Sequence, residues 1–95
     1  MTQTLIEEIE AEMKRAVAKF PTWPTDPFHA KAVLDEEVGE LAKAILQFTY
    51  EPEKGVTMAD IRSEAMQTAT MAIRWAQSIE AYRYEQGEQH EQVLP

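Results

Sequence analysis

The chain has no cysteine, so a disulfide framework and a thiolate metal site are both excluded. Glycine is scarce, with three residues in 95, and no segment sustains the apolar–polar alternation of a half-buried strand. Basic residues are the minority: Lys and Arg total 9 against 17 Asp and Glu, a net charge of −8. That balance argues against a nucleic acid polymer or an anionic membrane as a general partner. A nucleotide stays compatible with it, because a bound metal inverts the local field. No apolar run is long enough to span a bilayer. The opening Met-Thr-Gln-Thr-Leu-Ile-Glu-Glu lacks the basic start and apolar run of a secretory signal. A soluble cytoplasmic protein with one domain and one core is the expectation.

What is present has helical period. Leu5, Ile9, Met13, Ala16, Val17 and Phe20 recur at helical spacing, behind a capping box read at Thr4 and Glu7. Pro21 stops this helix, and the linker to Pro27 holds three prolines. Asp26 followed by Pro27 reads as a helix cap and first helical residue. The second helix is predicted from Pro27 to about Tyr50, and Pro52 with Lys54-Gly55 marks the turn after it. Thr57 with Asp60 predicts the start of a third helix, which meets no breaker until about Glu85. Residues 87–95 read as a polar, frayed tail, and residues 1–86 as a single all-helical domain. The fold class is all-α: a bundle of three main helices per chain, completed by oligomerisation. Two adjoining stripes on the third helix motivate that last clause. One is Ile61, Ala65, Thr68, Ala72 and Ile79; the other is Met66, Ala69, Ile73 and Ala76. A three-helix chain cannot cover both, and the alanines suit a close seam between subunits.

The chemistry concentrates in Asp35-Glu36-Glu37-Val38-Gly39-Glu40-Leu41. Glu40 shares a helix face with Glu36 and Glu37. Like charges at this spacing destabilise a helix by about 0.2–0.5 kcal/mol per pair, so a compensating partner is expected. A hard divalent cation prefers carboxylate oxygens, and Glu64 on the next helix can help close such a site. The apolar stripe Leu34, Val38, Leu41, Ile45 and Phe48 predicts the core face of the second helix. Glu37 borders it, in phase with Val33 and Ala44, with Glu40 next and Glu36 further out. A carboxylate at that border is costly unless paired or ligating. The alternative is a solvated face paired with Lys31 and Lys43, with Glu64 paired to Arg62. Gly39 costs about 1 kcal/mol inside a helix. It is either an exposed, tolerated glycine or a point of close approach.

E-E-V-G-E at 36–40 and E-A-M-Q at 64–67, in an all-helical context, resemble the MazG-type all-α nucleotide pyrophosphatases. Their pattern is E-E-x-x-E, a variable gap, then E-x-x-D. The resemblance runs from about Trp23 to Ile79 and includes Trp23-Pro24 and Leu41-Ala42-Lys43-Ala44-Ile45. It implies Mg²⁺-dependent hydrolysis (Mn²⁺ as a substitute) of nucleoside triphosphate to monophosphate and pyrophosphate, by a homodimer or homotetramer. Carried over by position, Glu37, Glu40, Glu64 and Gln67 match the metal-binding acids, and Glu36 is the leading acid. Either Glu36 or Glu37 would deprotonate the attacking water. Gln67 stands where the family has Asp, so one negative charge is lost.

Around these, Trp23 can stack on a base or anchor the linker on the core. Lys31 and Arg74 are candidate phosphate contacts or ordinary surface charges. Met71 can line a base pocket or fill core, and His29 can reach substrate or serve as a helix-start polar residue. Two other functions fit the chain. One is a nucleotide- or metal-binding regulatory protein of the same fold, weakened in catalysis by Gln67. The other is a purely structural helical dimer.

Overall fold

Each helix begins where a side chain can take up an otherwise orphaned amide. In the computed structural model, which describes residues 1–79, α1 spans Gln3–Lys19, α2 Pro27–Tyr50 and α3 Met58–Ile79. A short 3₁₀ helix, Pro52–Lys54, links α2 to α3. There is no strand among the described residues. The extension of α3 toward Glu85 and the tail at 87–95 lie outside them.

Asp26 caps α2 as its spacing predicts, accepting from the Phe28 amide at 2.9 Å with Pro27 in the first turn. Thr57 and Asp60 form the reciprocal box at the start of α3, with bonds of 2.8 and 3.1 Å. The cap of α1 differs from expectation. It is Thr2, accepting from the Leu5 amide at 3.2 Å, so Thr4 and Glu7 lie inside the first turns. Thr2 and Thr4 offer the same hydroxyl, and the helix takes the earlier one, gaining a half-turn. Gly55 ends the 3₁₀ helix at φ 72°, a left-handed conformation that glycine adopts without strain. A Cβ on Gly39 would meet nothing within 4 Å, so the exposed, tolerated reading of that glycine stands.

α3 is the shared partner, packing along α2 and against α1. Few positions among the described residues are buried. Ala16, Ala30, Ala44 and Met71 are buried, together with Thr70 and Arg74. Thr70 satisfies its hydroxyl on the Met66 carbonyl at 2.8 Å.

The phase of α2 corrects the expected core face. Ala30 and Ala44 are buried and Val33, Glu37 and Gln47 half-buried, so this row faces the rest of the chain. Of the apolar stripe, Leu34 and Leu41 are half-buried, while Val38, Ile45 and Phe48 are 47%, 45% and 43% exposed. At about 100° per residue, the two rows lie roughly a quarter-turn apart. Hydrophobic period locates an apolar face but not what covers it, and here the described residues cover only its edge. On α3 the inward row is Glu64, Gln67, Met71, Arg74 and Ser78, while Ala65, Ala69, Ala72 and Ala76 are exposed. The packed face of α3 thus lies beside the alanine row and not on it.

Candidate functional site

Turning α2 this way brings Glu37 and Glu40 against α3. One carboxylate oxygen from each of Glu37, Glu40 and Glu64 lies within 4.8 Å of the others. The register between the helices is held by Thr68. Its hydroxyl lies 2.8 Å from the Glu64 carbonyl and 3.3 Å from the Glu37 carbonyl, bridging the two acid-bearing turns.

The carboxylates of the cluster make no direct ion pair among the described residues. Glu37 Oε2 and Glu64 Oε2 are buried without a hydrogen-bond partner. Burial first, then the hydrogen bond and charge of Glu40, then the charges of Glu64 and Glu36, push the Glu37 carboxyl up to about 7. Two of the three basic partners of the solvated-face alternative are engaged elsewhere, while Lys43 lines a cleft together with Glu40 and Glu64. Lys31 pairs with Asp35 at 3.0 Å on the exposed side of α2, and Arg62 pairs with Glu8 of α1 at 2.7 Å. Three carboxylates from two helices, two of which each carry a buried oxygen without a hydrogen-bond partner, have the donor chemistry that suits a divalent cation of the Mg²⁺ or Mn²⁺ type.

Beside the acids lies a cavity of ≈ 400 Å³ with Trp23, His29, Val33, Glu36, Glu37, Met71 and Arg74 in its walls. It is largely apolar, with an acidic edge on the α2 side. Arg74 shapes it and is 6% exposed. Its Nη2 donates to the Phe20 carbonyl at 2.6 Å and approaches the Thr22 carbonyl at 3.4 Å. The guanidinium lies 4.8 Å from the centroid of the Trp23 ring. Arg74 thus clamps the linker after α1 and presents Trp23 to the cavity. That occupies one edge of the group read from sequence as a phosphate contact; Nη1 is buried without a partner.

A second cleft of ≈ 190 Å³ opens on the α1 side of the acids. Glu12, Arg15 and Lys19 of α1 face Glu37 and Glu40 of α2 across it, over Gln67 and Met71 of α3. Gln67 therefore shares a wall with two of the three acids. Lys31 borders neither space. Arg15 and Lys19 escape the sequence reading, which follows α1 only for its apolar period. The available signal is spacing: Arg15 and Lys19 stand four residues apart and flank Ala16, the residue that packs α1 inward.

No helix among the described residues is long and apolar enough to cross a membrane. No protein-family model, no curated protein and no solved structure matches this chain.

Proposed function

We propose that the chain is a Mg²⁺-dependent nucleoside triphosphate pyrophosphohydrolase of MazG-like type, which releases monophosphate and pyrophosphate. The observation that carries this reading is the acid trio. Glu37, Glu40 and Glu64 converge from two helices, Glu37 and Glu64 each with a buried oxygen that lacks a hydrogen-bond partner, next to a cavity with an aromatic wall. The E-E-x-x-E pattern of the resembling family falls on Glu36, Glu37 and Glu40, and the first acid of its E-x-x-D on Glu64, with Gln67 in place of the Asp.

Glu37, Glu40 and Glu64 would hold Mg²⁺, with Gln67 at the rim. A metal bound there supplies a Lewis acid that neutralises charge on phosphate oxygens. The chain's own groups do the rest. Trp23 stacks on the base, and Met71 and His29 close the cavity around it. Glu36 lines the same cavity without belonging to the trio. It accepts the proton from the attacking water, whose oxygen bonds to the α-phosphorus. The bond from that phosphorus to the α–β bridging oxygen breaks, and pyrophosphate leaves with the electron pair. Glu37 is the alternative proton acceptor.

The assembly is a homodimer or homotetramer. Val38, Ile45, Leu46, Phe48 and Tyr50 of α2 are large, apolar and exposed, and a surface of this kind on a small chain suits a subunit interface.

A binding or regulatory role without turnover is favoured by one feature, Gln67 where the family pattern has Asp. Turnover separates the two. A panel of nucleoside triphosphates with Mg²⁺ is assayed for pyrophosphate release. Metal-dependent release from one or more supports the hydrolase. Tight binding without release supports the regulatory role.

A further inference from the structure

We propose that the cleft between α1 and α2 seats the diphosphate portion of the substrate, with Arg15, Lys19 and Gln67 as its anion-binding wall. This rests on the hydrolase reading and adds residues that the acidic motifs do not contain.

A triphosphate brings several negative charges to a chain whose own net charge is −8. A metal on the acid trio offsets part of that charge, and cations must face the remaining oxygens. Arg15 and Lys19 stand one turn apart on α1 and line one side of the cleft, opposite Glu37 and Glu40. Ala16 fixes this phase. It is 3% exposed, so rotating α1 away would expose a packed position. Glu12 orients Arg15: its carboxylate accepts from Nε at 3.1 Å and also pairs with Nη2. Nη1 lies outside that pair. The Glu12 hydrogen bond and charge, and in smaller measure the charge of Glu37, raise the Arg15 pKa. The Lys19 ammonium sits 5.4 Å from the centroid of the Phe20 ring. Phe20 borders both the aromatic cavity and this cleft, which puts Lys19 near their junction.

The same placement gives Gln67 a chemical role. Its amide can donate an N–H to a phosphate oxygen. An ionised Asp at this point would only accept, and it would repel the anion. Base cavity and cleft share Phe20, Glu37 and Met71 in their walls, so a nucleotide with its base in the one can extend its phosphates into the other.

The test uses Mg²⁺ with inorganic pyrophosphate and isothermal calorimetry on the full chain. The variants are Arg15→Gln, Lys19→Gln, the double variant and Lys14→Gln. The last makes the same charge change on α1 outside the cleft. Charge-assisted hydrogen bonds contribute about 1.5–3 kcal/mol, so each cleft variant should weaken binding roughly tenfold or more. The double variant should weaken it further, and Lys14→Gln should leave it within about twofold. No binding by the wild type, or equal affinity in all variants, overturns the seat. Nucleotide turnover is read in parallel. Pyrophosphate binding that depends on Arg15 and Lys19, without turnover, supports the seat and sinks the hydrolase. Turnover with binding insensitive to both residues does the reverse.

Discussion

Thr68 is joined to Glu37 across two helices: its hydroxyl lies 3.3 Å from the Glu37 carbonyl while also donating to the Glu64 carbonyl of its own helix. The relative placement of the three acids therefore depends on a residue that carries no charge. Thr68→Val keeps the shape and removes the hydroxyl. Stability should fall by about 1 kcal/mol, and Mg²⁺ affinity should fall with it. Unchanged metal affinity in a folded Thr68→Val would show that the bridge does not hold the register.

Arg74 makes a prediction of a different kind. It is buried and bound to the Phe20 carbonyl, so Arg74→Met should free the linker that carries Trp23. Loss of this charged hydrogen bond should cost about 1.5–3 kcal/mol. Nucleotide affinity should weaken with Mg²⁺ affinity little altered. Equal loss of both would place Arg74 in the phosphate contacts instead.

Glu37 sets a pH dependence. Its pKa in the folded chain is about 7 against an ordinary 4.5. Between those values the folded chain holds a proton that the unfolded chain has released. Without metal, stability is therefore greatest below this window and declines as pH rises through about 7. Urea midpoints should be lower at pH ~8 than at pH ~5, and Glu37→Gln should flatten the difference. A metal-free midpoint that rises across the window contradicts the environment assigned to Glu37.

The outward face of α2 predicts an oligomer. Ile45 is 45% exposed within one chain and sits between Val38 and Phe48 on the uncovered stripe. Light scattering at micromolar concentration should give a multiple of the chain mass. Ile45→Glu should convert it to monomer, because a buried unpaired charge opposes the interface. A monomeric wild type removes this interface.

How much of this the sequence shows depends on the range of the interaction. The caps at Asp26 and at Thr57 with Asp60 are legible, since donor and acceptor lie within three residues of each other. The α1 cap is ambiguous between Thr2 and Thr4 for the same reason, as both are local solutions. The face of α2 is not legible. Its stripe from Leu34 to Phe48 has the periodicity of a core, and only the packing of α3 shows that the row through Val33, Glu37 and Ala44 is turned inward. The acids are easy to find because they cluster; that Glu64 meets Glu37 is a tertiary fact that spacing alone leaves open. Lys31 looks available in sequence, yet Asp35 one turn away holds it outside the site.

Glu64 is the most direct probe of the acid trio, because it is the one acid that the fold alone brings to the other two. Wild type and Glu64→Gln are incubated with Mg²⁺ and a panel of nucleoside triphosphates, and monophosphate and pyrophosphate are quantified together. The wild type should form the two products in equal amounts, only with metal present, on at least one substrate. Glu64→Gln, folded and of unchanged assembly, should be slower by about a hundredfold or more, the scale of a single electrostatic contact to a transition state. A wild type that forms no pyrophosphate with metal, or a Glu64→Gln variant as fast as the wild type, contradicts a hydrolase built on this trio.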